Sequence, residues 1–591
     1  MSDRINAVFD LVRLGRYAEA KPGLLRMVAR NPDDHEARFA LAECFFWTGQ
    51  PSGATFHLDA LLRAKDLRED LLAVACDLLA KTGALGRAVT TLEQRRTADS
   101  TAFNTRISLC SFYMQQAKLD EASAVLAEAE GIAPDFPIVR KLKGALFSRR
   151  GDVDAAIDAY RASLWENPGD VNLASSLAFM INGSAKATKQ EVFQPHVMFG
   201  ELMAQQAGTG GFTFQGRLDP DRRLKLAFVS HDINGHSVSA FLEAPVRHLD
   251  RASFEVWIYY TGTGRDATTE RLAGLVDRFV HMPGVTSVDL ASRVHADHID
   301  VLIELNGHTQ GHRLHAMQLR PAPLQATWLG YPNTTGLKTI DLRLVDAITD
   351  PPGVEAFNTE RLVRLDPCFL CYTPIDTVPE RVGAGWSRAP RSTIDDRPVF
   401  ACFNAAHKIN DFTISLWSRV LNRVPDSRML VKARGASGPH SAEGVRSRFS
   451  AQGVDAARIE MIPFKDSPSE HLNTYASADI QLDTFPYHGT TTTCESLLMG
   501  VPVVTLTGDR HVSRVSTSIL HAVGLGELAP STPDAYVDAA ASLAADTSRL
   551  RALQSMLPDR VRLGPLCDGR TFAATFGRAI RAAWRETCAR I

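Results

Sequence analysis

Gly15, Gly49, Gly83, Ala117 and Gly151 stand 34 residues apart, and Ala20, Ala54, Ala88, Ala122 and Ala156 keep the same step. Pro32, Pro134 and Pro168 fall in phase with one another, with Asp66 and Ser100 at the two intervening positions. Self-similarity at this period marks a two-helix unit repeated along the chain. The small residue permits the tight turn inside each unit, the alanine lets the second helix approach the first, and the proline ends the second helix. Such a unit cannot bury its apolar face alone, so the units are expected to stack into a curved α-solenoid over residues 1–182, with Leu173 to Asn182 beginning a capping helix. The concave surface suits a protein or peptide; a packing or dimerisation arm is the alternative.

The chain has 591 residues, enough for roughly three or four domains. Its formal net charge of −2 supplies no basic field, so nucleic acid is not an expected partner. No apolar run approaches membrane-spanning length, and the start, Met1-Ser-Asp-Arg-Ile-Asn, lacks a basic region followed by an apolar core. Nine scattered cysteines, an odd number, suit reduced thiols and a cytoplasmic location. Cys368-Phe-Leu-Cys371 is a lone CxxC and reads as packing.

Residues 183–222 read as a transition, with Gly/Thr-rich Gly208 to Gly211 and a turn at Asp219-Pro-Asp221. Beyond it, strand-like runs at 226–230, 254–260, 299–304, 324–329 and 342–345 alternate with helix-compatible segments. A second series occupies 399–403, 429–432, 459–462, 480–482 and 503–506, after a Pro/Gly/Ser-rich bridge near Thr377 to Arg397. These predict two Rossmann-like lobes, 223–385 and 386–591, the latter with C-terminal helices. Ligands of such sheets sit at the carboxyl ends of strands. The polar clusters fall there: Val229 to His236, Leu305 to His308, Gly330 to Gly336, and Phe403 to Lys408.

The fifth cluster is Asp483-Thr-Phe-Pro-Tyr-His-Gly-Thr-Thr-Thr-Thr-Cys-Glu495, which joins a strand end to a helix start. Thr490 to Thr493 fall near the helix N-terminus, where free N–H groups and the positive end of the dipole suit a phosphate. Glu495 lies one turn inward, where a carboxylate can accept bonds from a ribose. The same run also suits an ordinary Thr-capped helix.

The 34-residue period is that of the tetratricopeptide repeat. His236-Ser-Val-Ser-Ala-Phe-Leu-Glu-Ala-Pro245, Arg320-Pro-Ala-Pro-Leu-Gln325, Trp328 to Gly336, Cys368 to Pro374 and Asp483 to Glu495 resemble the O-linked N-acetylglucosamine transferase family, in particular its Spindly branch. The similarity covers about residues 222–585. It implies a two-lobed B-type glycosyltransferase that is inverting and needs no metal or other cofactor, acting on Ser/Thr hydroxyls of a protein acceptor held by the repeats. Lys408 matches the lysine that neutralises the leaving diphosphate, a preorganised electrostatic role. Thr491 and Thr492 match the phosphate-binding helix start, Glu495 the ribose ligand, and His471 a histidine near the base. Gly330 lies in the motif near sugar and acceptor. His236 matches a histidine that either takes the hydroxyl proton or positions sugar or acceptor. His295 also matches a family histidine and is a second candidate for the proton; His308 is a secondary site candidate.

Three positions separate the chain from the N-acetylglucosamine enzymes, which carry His at Thr490, Gln at Ala405 and Arg at Thr474. The changes resemble Spindly, whose plant members transfer fucose from GDP-fucose. The resemblance implies UDP-N-acetylglucosamine as the first donor to expect and GDP-fucose as the second. A flagellin glycosyltransferase using another activated sugar and a catalytically silent binding scaffold are the alternatives, and a homo-oligomer is compatible with either.

Overall fold

Each small residue that keeps the 34-residue step adopts left-handed backbone: φ is +73° at Gly15, +75° at Gly49, +94° at Gly83, +57° at Ala117 and +72° at Gly151. That conformation is cheap only without a Cβ, which explains glycine at four of the five turns. The five in-phase alanines are fully buried. In this computed structural model the turns join helix pairs from Ser2–Arg13 with Tyr17–Arg30 to Pro137–Arg150 with Val153–Glu166. The expected capping helix is Val171–Ile181, followed by Lys189–Ala207. The residues described are 2–64, 66–134, 136–207, 211–214, 219–374, 397–432, 442–463, 465 and 467–590. Most of the expected bridge at 377–397, and residues 208–210 of the Gly/Thr-rich stretch, lie outside them.

Two compact units emerge, Met1–Arg149 with Pro283–Thr286, and Arg150–Met282 with Ser287–Ile591. The first holds a core that includes Leu58, Cys76, Leu92, Leu109 and Leu126. The division precedes the expected boundary at 182 because the last repeat helices are stitched into the α/β part. The Tyr331 hydroxyl sits 2.8 Å from Asn182 Nδ2, 2.7 Å from His196 Nε2 and 2.8 Å from the Ala178 carbonyl.

Twelve strands among the described residues form two parallel sheets. The first contains β1 (Leu224–Ser230), β2 (Phe254–Tyr260), β3 (Arg278–His281), β4 (Val301–Glu304), β5 (Leu324–Thr327), β6 (Leu342–Asp346) and β7 (Arg361–Leu365), in the order β3-β2-β1-β4-β5-β6-β7. The second contains β8 (Val399–Cys402), β9 (Arg428–Lys432), β10 (Ile459–Ile462), β11 (Ile480–Leu482) and β12 (Val503–Val504), in the order β10-β9-β8-β11-β12. Strand order reverses between β1 and β4 and between β8 and β11, and crevices for ligands open at such switch points. The loops after β6 and β12 meet: His511 Nδ1 lies 2.5 Å from Asp350 Oδ2, and Ser518 Oγ donates to Asp346 Oδ2 at 2.6 Å. The carboxyl ends of both sheets therefore turn toward a shared crevice.

The sequence reading places all of 386–591 in the second lobe. The last helix, Gly569–Arg590, instead packs on the first, because its buried stripe of Phe572, Phe576, Ile580 and Trp584 needs an apolar partner. Phe576 meets Trp328 at 5.1 Å between ring centroids, and Trp584 Nε1 donates to the Asp219 carbonyl at 3.1 Å. Asp219 and Asp221 form the expected turn, with Asp221 paired to Arg585 at 2.6 Å. Cys368 and Cys371 are buried free thiols, and burial pushes Cys368 up to about 12. No helix among the described residues is long and apolar enough to cross a membrane.

Candidate active site

Asp483 leaves β11 buried and organises the loop beyond it. Its Oδ1 accepts from Asn404 Nδ2 at 2.8 Å, from the Thr484 amide at 2.9 Å and from the Gly489 amide at 2.9 Å. Its Oδ2 accepts from Thr505 Oγ1 at 2.8 Å. Asn404 follows β8 and accepts from Thr492 Oγ1 through its own Oδ1. The two strands that flank the switch point are thus tied together, and the helix Thr491–Leu498 starts beside them.

That helix start is unspent. Among the described residues no protein acceptor meets the backbone N–H of Thr491, Thr492 or Thr493, and Thr490 at the N-cap makes no side-chain capping bond. Thr491 Oγ1 is buried without a hydrogen-bond partner. A buried hydroxyl is normally satisfied, so these donors are available to an external acceptor. An ordinary Thr cap would have closed on the amides itself.

Lys408 supplies the cation. It ends the short helical turn Ala406–Lys408 after β8, and its Nζ donates to the His488 carbonyl at 2.7 Å and lies 4.2 Å from the Tyr487 ring centre. Burial pulls its ammonium down to about 8, with Asp483 opposing the shift. An ammonium that burial makes costly to keep charged is stabilised by an arriving anion.

Glu495 is buried one turn inside the same helix. Its Oε2 accepts from Tyr475 OH at 3.0 Å and lies 3.2 Å from His471 Nε2. Its Oε1 makes no protein hydrogen bond among the described residues, which leaves it able to accept from vicinal hydroxyls. Thr474 Oγ1 is turned away, donating to the His471 carbonyl at 2.6 Å.

The first lobe brings His236 to the carboxyl end of β1, as the N-cap of the helix Ser237–His248. Its Nδ1 accepts from the Val238 amide at 3.3 Å and stands 3.9 Å from Asp232 Oδ2, with the side chain 48% exposed. With Nδ1 accepting, the remaining ring proton sits on Nε2, which is the nitrogen left to donate. Gly330 follows β5, and a Cβ there would stand 1.7 Å from the Leu305 carbonyl, so only glycine lets the loops after β4 and β5 lie this close.

Two candidates are placed elsewhere. His308 is buried with both nitrogens engaged: Nδ1 lies 2.8 Å from Ser175 Oγ and Nε2 lies 2.9 Å from the Thr335 carbonyl. Burial holds it neutral, well below the usual range, and it clasps a repeat helix to the loop after β5. His295 sits in the last turn of the helix Ser287–Ala296, which enters β4 from its amino end, and stacks on Phe212 at 4.5 Å. It lies at the edge of the sheet opposite to the crevice. Asp483, Asn404 and Tyr487 lie inside the sequence clusters without an assigned role, and Tyr475 lies outside them. Asp483 had one legible signal, a carboxylate directly after an apolar strand. Asn306 belongs with them, holding Asp232 Oδ2 at 2.7 Å and the His231 amide at 3.0 Å.

Among the described residues no group of three or more His, Cys, Asp or Glu is arranged to hold a metal ion.

Comparison with known proteins agrees with this geometry. The family model of glycosyl transferase family 41 matches residues 203–373 and 378–576, and tetratricopeptide models match 11–75 and 113–171. The "Probable UDP-N-acetylglucosamine--peptide N-acetylglucosaminyltransferase SPINDLY" of Arabidopsis thaliana is 40% identical over 378 residues, 63% of this chain and 40% of the relative. The protein of the same name from Oryza sativa subsp. japonica is 36% identical over 444 residues, 73% of this chain and 46% of the relative. The chain thus spans less than half the length of these curated relatives. A lysine-to-methionine mutant of the Thermobaculum terrenum O-GlcNAc transferase superposes with a TM-score of 0.81 at 29% identity, covering 88% of this chain and 98% of that one. With its α/β part matched almost throughout and its helical arm matched as repeats, the chain belongs to glycosyl transferase family 41.

Proposed function

We propose that the chain is a protein O-glycosyltransferase that moves one monosaccharide from a nucleoside-diphosphate sugar to a Ser or Thr hydroxyl. The observation that carries this reading is the pairing of unspent donors at Thr491 to Thr493 with the depressed ammonium of Lys408. The acceptor oxygen attacks the anomeric carbon, the bond from that carbon to the phosphate oxygen breaks, and the diphosphate leaves with the electron pair. Negative charge grows on the leaving group as that bond breaks. Preorganised amides and a cation placed there stabilise the transition state more than the ground state. Glu495 Oε1 holds the ribose, and His471 lies against the base. Inversion at the anomeric carbon fits a single displacement of this kind.

His236 acts as a positioning donor through Nε2, since its Nδ1 lone pair is engaged by the Val238 amide. The hydroxyl proton then leaves to solvent or to the departing phosphate.

UDP-N-acetylglucosamine is the first donor to test, because the relatives carry that substrate in their names. GDP-fucose is the second, because Thr490, Ala405 and Thr474 depart from the N-acetylglucosamine enzymes. The repeats present the acceptor, which includes flagellin among the proteins to test, from a cytoplasmic location. The test is a panel of nucleotide sugars read by thermal shift, followed by intact mass of a co-expressed acceptor. Mass added to the acceptor identifies the sugar. Nucleotide binding with no mass added to any acceptor favours a silent scaffold instead.

A further inference from the structure

A second cationic site lies apart from the Lys408 cluster and shares no residue with it. Arg343 in β6 is buried, with Nη1 donating to Asp350 Oδ1 at 3.1 Å and to Asn358 Oδ1 at 2.9 Å. Its Nη2 is buried with no partner among the described residues. Arg510, in the loop after β12, is 10% exposed, pairs with Asp509 at 3.3 Å and donates from Nη2 to the Ser184 carbonyl at 3.1 Å. Its Nη1 is likewise buried and unpartnered. Arg343 and Arg510 both line one cavity of about 40 Å³, and Lys189 of the helix Lys189–Ala207 lines it as well.

Charge and size narrow the occupant. Three cations line the cavity against two carboxylates. Asp350 is already engaged by Arg343 and His511, and Asp509 by Arg510. What remains is an excess of positive charge and two planar forks with spare N–H groups. On the measure in which one water needs about 10–15 Å³, the space takes roughly three waters, which is comparable to one tetrahedral oxyanion. Guanidinium matches the oxygens of such an anion through parallel N–H bonds.

We infer that this cavity binds a free inorganic oxyanion, phosphate or sulfate, between Arg343, Arg510 and Lys189. Because these residues come from the first lobe, the second lobe and the helix that follows the capping helix, the anion fastens all three together at the crevice. The site is independent of the nucleotide site and survives if the reading of Lys408 fails.

The full chain is melted in increasing phosphate or sulfate against chloride at matched ionic strength, as wild type, Arg510→Gln and Lys408→Ala. The expected result is a saturable rise in Tm of at least about 1 °C with either oxyanion, kept in Lys408→Ala and lost in Arg510→Gln. Should Arg510→Gln fail to fold, Lys189→Ala is expected to raise the half-saturating concentration at least about threefold. No rise beyond that in chloride, a rise that Arg510→Gln keeps, or a rise that Lys408→Ala abolishes would overturn the inference. An unmoved half-saturation in Lys189→Ala, where that variant replaces Arg510→Gln, would overturn it as well.

Discussion

Lys408 Nζ donates to the carbonyl of His488 at 2.7 Å, a bond that spans 80 residues of sequence and sets an ammonium beside a loop whose next helix begins with unspent amides. The cation is held by a neutral acceptor and an aromatic face, with no carboxylate at ion-pair distance among the described residues, so its charge is available to a ligand.

Lys408→Ala is accordingly expected to lower kcat by about 10²–10³ or more while far-UV circular dichroism and Tm stay close to wild type. Turnover at the wild-type rate would remove Lys408 from the mechanism.

The depressed ammonium makes a pH prediction with two opposite signs. Above pH about 8 the empty site loses its cation, so diphosphate affinity is expected to fall up to about tenfold per pH unit, with proton uptake on binding. Stability runs the other way. The folded value lies below the ordinary 10.5, so the unfolded chain holds the extra proton between about 8 and 10.5, and this group's contribution to stability rises across that window. Calorimetry in buffers of different ionisation enthalpy measures the uptake, which should vanish in Lys408→Ala.

His236 separates positioning from proton transfer. Asparagine can accept from the Val238 amide as an N-cap and still offer an N–H to the crevice. His236→Asn is therefore expected to retain at least about tenfold more transfer than His236→Ala, as initial rates of transfer measure. An equal loss of transfer in both variants would make His236 the base.

Glu495→Ala removes the carboxylate with a free Oε1 and is expected to raise KM for the donor about tenfold or more with a smaller change in kcat, as loss of uniform binding does. Initial-rate kinetics over donor concentration distinguish this from a kcat effect.

In the repeats, Ala117 alone of the five turn residues carries a Cβ at positive φ, +57°. Ala117→Gly is expected to stabilise the first unit by about 0.5–1 kcal/mol, and Gly49→Ala to destabilise it by a similar amount. Urea denaturation followed by circular dichroism reads both.

Much of this architecture was legible in sequence because a strict spacing imposes one geometry. The 34-residue step became five left-handed turns, and ten expected strands fell at the positions read from their apolar runs. The two strands that escaped, β3 and β7, sit at the sheet edges. Arg278 and Arg361 are exposed and the half-buried faces mix polar with apolar residues, so no clean alternation announces them. The Thr run was visible because helix-start chemistry is local, and Lys408 because it ends a polar cluster after a strand and matches the family lysine. Asn404, Tyr475 and Asp483 were not, since each acts on a residue brought near by folding: Asn404 on Thr492, Tyr475 on Glu495, and Asp483 on Thr505. His308 and His295 show the reverse. A family match suggested His295 for the proton and a polar cluster suggested His308 as a site residue, but burial makes His308 a clasp and strand direction puts His295 at the other edge of the sheet.

The central claim is that the Thr491 helix start and Lys408 together grip the donor's diphosphate, and a calorimetric titration of UDP and GDP into wild type and Lys408→Ala at pH 7 tests it most directly. The account predicts saturable binding of at least one of them to wild type, weakened tenfold or more in the variant. Equal affinity in both proteins, or no binding of either nucleotide to wild type, would contradict it.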